Sequence, residues 1–379
     1  MSSNPLVARR SAVEPVEVEW LTDPAQLNTV EEEWRALEAR VQNRTVLSSF
    51  DFLSTWYRHY AGDYGGAPRI GLARRRSQLI GAAPLTLRRG RIGGIPVTRV
   101  DFAPNDSPAG AFLVEDDHPE TIALLLDSLV STVKFDVACL NGFDPDSPHL
   151  PVLREAAARR RLTVEVEDQA FAVADVRDGY DAYRRRSLSR NSRAKLKQKA
   201  RRIEQAGEVA VDGVVLFEGR ETIDDSVARM IAITEASYKL KGQPLADCHR
   251  SCLYELARRF GPRGMLSLSI LSIGGRDAAF LMGLVEGGCF YDINLAYAEA
   301  FTHLAPGVHL MQRTLEKLTG AGVHTVVSHG AHDYKKHWAT EFRRQTRVFL
   351  FAPGVRGAAT RWIRFGLAPL WKRVAPPEH

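Results

Sequence analysis

Residues 291–338 read YDINLAYAEAFTHLAPGVHLMQRTLEKLTGAGVHTVVSHGAHDYKKHW, and this stretch decides the fold. It opens with alternating apolar and polar side chains up to Tyr297, which predicts a strand with one covered face. A segment beginning at Pro306 then carries apolar residues at helical spacing. Residues 323–328 predict a short buried strand, and a polar turn follows. The predicted order is therefore strand, helix, strand and polar turn.

The start of the predicted helix is a candidate anion site. Its Pro306-Gly307 pair follows a strand, so free amides and the positive end of the helix dipole should lie beyond the strand end. The missing side chain of Gly307 would let a phosphate approach the backbone closely. Many helices begin with Pro-Gly and bind nothing, so the motif alone leaves both interpretations open.

Composition is that of a soluble globular protein of 379 residues and 42.1 kDa, with 45% hydrophobic and 25% charged residues. The formal net charge of +6 comes mostly from arginine, and it indicates either an anionic partner or a bias in base composition. The four cysteines show no disulfide or CxxC spacing, and residues 1–12 contain no apolar signal-peptide core. No apolar run is long enough to span a membrane. We therefore expect a cytoplasmic location.

One order of elements occurs twice along the chain. Strand, two helices, three antiparallel strands, helix and strand are predicted from residue 16 to 140 and again from residue 208 to 328. We predict an N-terminal unit at 16–170, a basic helical linker at 178–206, a C-terminal unit at 208–352 and a basic segment at 353–379. In the first copy the anion site is replaced by the acidic residues 115–117, which would repel a phosphate. The first copy is therefore predicted to be a platform or a wall of the acceptor site.

Two basic segments could meet anionic partners. Residues 183–202, YRRRSLSRNSRAKLKQKARR, predict a cationic helix without the interleaved aromatic residues that stack on bases. A solvated helix, or a contact with CoA, a carrier protein or a lipid phosphate, is therefore favoured over nucleic acid. Residues 358–374 interleave Trp362, Phe365 and Trp371 with arginine and lysine, which is typical of a helix on an anionic membrane surface or of a terminal helix packed on the body.

The candidate catalytic residues surround the anion site. A primary amine must lose a proton before it attacks a thioester, and Asp292, His329 and Asp333 are placed to accept it. Tyr334 could protonate the departing thiolate, and Lys335 could hold a phosphate or carboxylate. The histidines at 324, 329, 332 and 337 match no zinc spacing, so no metal is predicted. The GxSxG and GxGxxG motifs do not occur in the sequence.

These residues resemble a known family. The strand ending in Ala296-Tyr297, the Ala305-Pro306-Gly307 triplet, Ser328-His329-Gly330, and Tyr334-Lys335 with Trp338 together resemble the GNAT N-acyltransferase superfamily. The resemblance is to the branch with CelD-like acetyltransferases, which is related to the FemABX peptidyltransferases. A weaker likeness extends over residues 17–350 and includes Trp34, Trp56, Pro84-Leu85 and Asn105-Asp106.

The resemblance implies an α/β fold of tandem GNAT-like domains with mixed, largely antiparallel sheets. It implies acyl-CoA as co-substrate without a resident cofactor, bound by Tyr297, Ala305, Pro306, Gly307 and Val308. Only Gly307 represents the glycine-rich loop of the superfamily, which leaves a carrier protein or aminoacyl-tRNA open as donor.

The acceptor that the resemblance implies is a primary amine. It would belong to a long-chain amino base, giving a ceramide-type lipid, or to an amino sugar of a surface polysaccharide precursor. The enzyme would then lie on the inner face of the membrane. A FemABX-like peptidyltransferase and a catalytically silent assembly protein are the alternatives.

Overall fold

Both copies of the predicted element order occur in a computed structural model of the chain, which describes residues 15–367 except 43, 63, 105–111, 116, 216–219 and 241. Most predicted elements are confirmed within a few residues. The strands of the first copy are β1 (Val16–Leu21), β2 (Ala67–Arg75), β3 (Gln78–Ile92), β4 (Ile95–Phe102), β5 (Leu113–Val114) and β6 (Val137–Phe143). Its helices are α1 (Glu31–Glu38), α2 (Phe50–Tyr60), α3 (Thr121–Thr132) and α4 (His149–Arg159).

The second copy follows a strand and two helices that join it to the first. These are β7 (Thr163–Asp175), α5 (Tyr180–Ser187) and α6 (Arg190–Ala206). The copy itself contains β8 (Val209–Val215), α7 (Arg220–Glu235), α8 (Asp247–Phe260), β9 (Leu266–Ile273), β10 (Arg276–Glu286), β11 (Cys289–Tyr297), α9 (Pro306–Gly320) and β12 (Thr325–Ser328). The chain continues into β13 (Glu341–Phe351) and α10 (Val355–Arg361).

The strands of the described residues form one sheet, in the order β1-β2-β3-β4-β6-β13-β7-β12-β11-β10-β9-β8, with β5 beside β3. Most neighbours are antiparallel, but β4 pairs with β6 and β11 pairs with β12 in parallel. Two hairpins of the second copy turn at Gly274-Gly275 and Gly287-Gly288, where every φ is positive, as predicted from the glycine pairs.

The two copies exchange strands. β13 follows the second copy in the chain but pairs with β6 of the first, while β7 pairs with both β13 and β12. β7, which precedes the predicted linker at 178–206, is therefore an internal strand of the sheet. The domain boundaries remain a prediction, and the sheet crosses them.

The sheet has one helical layer on each face. On the first face α3 and α4 cover the first copy, and α9 with α5 and α6 covers the second. On the second face lie α1, α2, α7 and α8, and α2 contacts α8 across the two copies. Along β13, Phe342 packs with the α9 cluster and Val348 with the α3 cluster, so both clusters share one face.

The predicted basic helix over 183–202 is broken into α5 and α6. Leu188 is buried at the break, and the Ser189 side chain accepts a hydrogen bond from the Ser192 amide to cap α6. Arg193 donates to the Leu188 carbonyl at the end of α5. The break turns the basic residues of α6 toward the start of α9.

Candidate active site

The central feature of the second copy is an opening between two parallel strands. β11 and β12 pair from Cys289 with Thr325 to Asp292 with Ser328, and their pairing ends there. At the same point β11 has a bulge, because Asp292 lies opposite Gly283 but Asn294 lies opposite Met282. The bulge shifts the alternation of side chains by one residue. Asp292, Leu295 and Tyr297 therefore share the first face, while Ile293 and Asn294 lie on the second.

Helix α9 begins beside this opening. A Cβ on Gly307 would lie 3.2 Å from Leu295 Cδ2 and 3.7 Å from Tyr297 Cδ1, so the helix start packs directly on the open part of β11. Ala305 precedes it in the left-handed conformation, with φ 52° and ψ 52°, and Pro306 is the first helical residue. The free amides of the first turn thus emerge next to the opening. The glycine makes room for β11 rather than for a phosphate.

The carboxyl group of Asp292 is the hub of the site. Ser328 Oγ donates to Asp292 Oδ2 at 2.5 Å across the last strand pair. Burial raises the pKa of Asp292 above its ordinary value, while the Ser328 hydrogen bond and the charges of Lys335 and Lys239 lower it. The net pKa shift is upward. A carboxylate of raised pKa is the stronger base, which is the property that proton removal from an amine requires.

Lys335 is buried beside Asp292. Only 2% of the residue is exposed, and its Nζ donates to the carbonyl of His329. Burial lowers the pKa of Lys335 to about 8, although the negative charge of Asp292 opposes the shift. An ammonium group with this pKa can donate a proton near neutral pH. The prediction that Lys335 holds a phosphate is thus less consistent with its surroundings than a role in proton transfer.

Tyrosines surround the mouth of the opening. Tyr334 is 41% exposed and stacks with His332, with ring centroids 6.1 Å apart. Burial, Asp292 and Tyr238 raise the pKa of Tyr334 to about 12. Tyr238, itself 51% exposed, lies 6.2 Å from the Tyr297 ring. These rings can contact the donor chain and the acceptor, but the raised pKa makes Tyr334 a weaker acid than ordinary tyrosine.

Two predicted site residues lie apart from this hub. Asp333 is exposed on the far side of a short 3₁₀ helix and pairs with Lys336 at 2.6 Å, an ion pair that lowers the pKa of Asp333. His329 faces the site through its backbone carbonyl, which accepts from Lys335. Of the three predicted proton acceptors, only Asp292 therefore has its side chain at the opening.

A cationic groove of about 1090 Å³ runs from the start of α9 along α6. Val308 and His309 line its inner end, and the pKa of His309 is lowered by burial and by Arg313. The groove is electrostatically suited to phosphates, since its basic side chains outnumber its acidic ones. The basic lining residues are Arg184, Arg190, Arg193, Lys197, Lys199, Arg313 and Lys317, and the acidic ones are Asp181, Glu204, Glu208 and Glu316.

A polar cavity of about 430 Å³ lies on the second face, toward the first copy. Phe171 and Arg343, paired across β7 and β13, lie on its floor, and Phe171 is adjacent to Ala172, the partner of Ser328. Two strand spacings put this floor on the order of 10 Å from Ser328. Gln345 lines the cavity and is 2% exposed, and its side-chain oxygen has no hydrogen-bond partner among the described residues. The cavity can therefore bind a polar group.

The C-terminal segment is packed on the sheet as far as the structure describes it. Arg361 pairs with Glu165 at 2.6 Å and Arg364 with Glu167 at 2.8 Å. The Phe365 ring contacts Phe349 at 5.2 Å. Of the predicted amphipathic residues only Trp362 is strongly exposed, at 61%, and Trp371 lies outside the described residues. None of the described helices has the length and apolar character to cross a membrane.

Sequence reasoning did not identify Ser328, Tyr238 and Lys239 as site residues. Ser328 belongs to the Ser328-His329-Gly330 motif, and its position at the end of a predicted strand could have indicated a site residue. Tyr238 and Lys239 follow α7, and their segment is held at the site by a bridge between Ser237 and Ala298. That contact joins residues about sixty positions apart, and no local pattern predicts it.

Residues 190–336 match the family described as the acetyltransferase (GNAT) domain. The match covers α6 through the polar turn and includes both parallel strands and α9. It spans less than half of the chain. No curated protein sequence matches this chain.

Several solved structures share the fold of this chain over nearly its full length. FemX superposes with a TM-score of 0.56 at 12% identity, covering 92% of this chain and 99% of FemX. L-PGS from Bacillus licheniformis superposes with a TM-score of 0.52 at 11% identity, covering 88% of this chain and 94% of L-PGS. The C-terminal domain of a putative lysylphosphatidylglycerol synthetase from Agrobacterium fabrum superposes with a TM-score of 0.51 at 10% identity. It covers 89% of this chain and 95% of that domain. At these identities the likeness shows the fold alone.

The predicted tandem GNAT-like α/β fold is confirmed, and so is the resemblance to GNAT and FemABX proteins. Residues 190–336 are similar to acetyltransferase (GNAT) domains, which favours an acyltransferase. Its donor, its acceptor and the roles of its site residues are proposals.

Proposed function

We propose that this protein is an N-acyltransferase that moves an acyl group from acyl-CoA to the primary amine of a polar acceptor such as an amino sugar. The observation that carries the proposal is the Asp292 carboxyl, which has a raised pKa and lies where β11 and β12 separate. A membrane-bound acceptor is compatible with this site, but the described part of the C-terminal segment gives it little support, because its arginines are paired with glutamates.

The donor would approach from the first face. Its diphosphate would lie on the amides after Ala305, and its nucleotide in the cationic groove that starts at Val308. The pantetheine arm would follow the open edge of β11, which has free backbone groups beyond Asp292. The thioester would then lie within the opening, between the two faces of the sheet.

The acceptor would approach from the second face. The polar cavity beside Phe171 offers Gln345 and Arg343 to hydroxyl or carboxylate groups. Its polar lining and volume of about 430 Å³ favour a sugar over a long-chain base.

The proposed reaction needs no covalent intermediate on the enzyme. Asp292 takes a proton from the acceptor ammonium, and the neutral amine attacks the thioester carbonyl carbon to form a C–N bond. The tetrahedral intermediate collapses with loss of the C–S bond, the thiolate takes a proton from Lys335, and the nitrogen of the new amide loses its second proton to the neutral Lys335. A thiol has a pKa of about 8.5, so Lys335, with a pKa of about 8, matches it better as proton donor than Tyr334, with a pKa of about 12.

The test measures thiol release when the purified protein is incubated with acyl-CoAs and an amino sugar or a sphingoid base, and it identifies the product by mass. Asp292→Asn should lower kcat by about 10²–10⁴-fold, as loss of a general base does. Asp333→Asn is the matched change on the neighbouring exposed carboxylate and should retain activity. Loss of activity in Asp333→Asn, with Asp292→Asn active, would reject the assignment of the base.

A second candidate donor is aminoacyl-tRNA, favoured by the size and charge of the cationic groove. Arg190 and Lys197 line it along α6, whereas Arg201 is an exposed residue of α6 outside the lining. If the groove binds tRNA, Lys197→Gln should reduce the slope of log K against log salt by about one, and Arg201→Gln should not. If it binds CoA, Lys197→Gln should raise KM for acyl-CoA a few-fold with kcat unchanged.

A further inference from the structure

A small cavity lies on the second face of the sheet, opposite the Asp292 carboxyl. Its volume is about 210 Å³. It is built by both copies, since α2 supplies Phe52, Trp56 and Tyr60 while α8 and β11 supply most of the remainder. The other lining residues are Thr234, Leu245, His249, Cys252, Leu253, Leu256, Ile293 and Asn294.

The lining is apolar and uncharged. Phe52, Cys252, Leu253 and Leu256 are buried members of the apolar cluster around α8. Burial raises the pKa of the Cys252 thiol to about 12 and lowers the pKa of His249, so both groups are neutral at pH 7. The Thr234 hydroxyl donates a hydrogen bond to the Met230 carbonyl. Such a cavity binds hydrocarbon and disfavours charged groups.

The cavity lies next to the proposed reaction site along β11. Ile293 and Asn294 line the cavity and follow Asp292 directly. The pairing of β11 with β12 has ended at Asp292, so the sheet is open at this level. A group attached to a thioester in the opening can therefore extend past the bulge into the cavity.

We propose that this cavity receives the acyl chain of the donor and limits its length. This inference rests on the proposed function. One water-sized volume is about 30 Å³, so the cavity holds on the order of seven non-hydrogen atoms. The preferred donor is therefore an acyl-CoA with a chain of roughly six to eight carbons, and Trp56, Tyr60 and Leu253 determine where it ends.

The test is the chain-length profile of kcat/KM for acyl-CoAs from two to sixteen carbons, with one acceptor held constant. Up to the limit, each methylene should raise kcat/KM about fourfold, which corresponds to burial of one CH₂. Beyond the limit kcat/KM should fall. Leu253→Ala should move the optimum two or three carbons longer, and Cys252→Leu should move it one or two carbons shorter.

The control is Leu150→Ala, the same truncation in the core of the first copy, where Leu150 is 4% exposed. It should lower stability without moving the optimum. Thiol release that is independent of chain length, or an optimum that neither cavity variant moves, would overturn the acyl cavity while leaving the acyltransferase intact. A length dependence seen only when the acceptor chain is varied would overturn it as well. No release with any acyl-CoA would reject the proposed function and the acyl cavity together.

Discussion

Replacement of Ser328 by alanine tests the proposed base without removing it. Ser328 Oγ donates to Asp292 Oδ2 at 2.5 Å, and this hydrogen bond favours the ionised carboxylate. Its loss should therefore raise the pKa of Asp292 further. A hydrogen bond to a charged group contributes about 1.5–3 kcal/mol, and one pKa unit corresponds to about 1.4 kcal/mol. The expected pKa increase is thus about one to two units.

The assay is the pH dependence of kcat/KM for the acyl-CoA at saturating acceptor. Asp292 acts as carboxylate, so activity falls as pH drops through its pKa, and the acid limb in Ser328→Ala should lie about one to two pH units higher than in the wild type. Above the limb the two enzymes should have similar rates. The profile is repeated with acceptors that differ in amine pKa, because a limb caused by the acceptor moves with that pKa and a limb caused by Asp292 does not.

The control is Ser267→Ala, a buried serine of β9 that lies two strands from Asp292 in the same row of the sheet, with Gly283 between them. It should leave the acid limb unchanged. An acid limb that stays in place in Ser328→Ala, or that moves to lower pH, would refute the assignment of Asp292 as the base. A uniform loss of rate at every pH would instead indicate damage to the strand pair.

Two further predictions concern Lys335 and Gly307. Lys335→Met should lower kcat by about 10²-fold or more, because Lys335 supplies a proton. It should also move the acid limb of the pH profile to higher pH, because the charge of Lys335 lowers the pKa of Asp292. Folding lowers the pKa of Lys335 from 10.5 to about 8, so between these pH values the unfolded chain binds more protons than the folded one. Urea titrations should therefore show the free energy of unfolding of the wild type rising relative to that of Lys335→Met from pH 8 to 10.5. A difference that stays constant over this range would contradict the lowered pKa of the buried lysine. Gly307→Ala places a methyl group 3.2 Å from the flexible tip of Leu295, so the free energy of unfolding should change by less than about 1 kcal/mol and KM for acyl-CoA by less than about twofold. A tenfold higher KM with unchanged stability would mean that a phosphate approaches this glycine.

Local patterns predicted most of the elements because their causes are local. The predicted order of strands and helices over residues 16–140 and 208–328 occurs in the structure, since these segments have strong periodicity and clear breakers. The break between α5 and α6 could also have been predicted, because serine is a preferred N-cap residue. The Ser189 side chain accepts a hydrogen bond from the amide of Ser192, three positions later.

The exchange of β7 and β13 could not be predicted, because strand partners are a non-local property. β7 reads as alternating valine and glutamate at its start, a pattern that fits a surface strand as well as an internal one. Its glutamates are instead matched by Arg361 and Arg364 of the C-terminal segment. The same limit applies to the site, where Asp292 and Tyr334 were predicted from nearby motifs but Tyr238 was not.

The repeat offers a physical reason for placing the proposed reaction in the second copy. In the first copy the parallel pair of β4 and β6 ends at Asp101 with Cys139, as the second pair ends at Asp292 with Ser328. Asp101 is fully buried and paired with Arg99 at 2.8 Å. A guanidinium is always charged and holds a carboxylate in its ionised form, which makes it a poor proton acceptor. At Asp292 the neighbouring cation is instead a lysine with a pKa of about 8, which can release its proton near neutral pH. This difference between the two buried aspartates is consistent with the proposed reaction at the second copy.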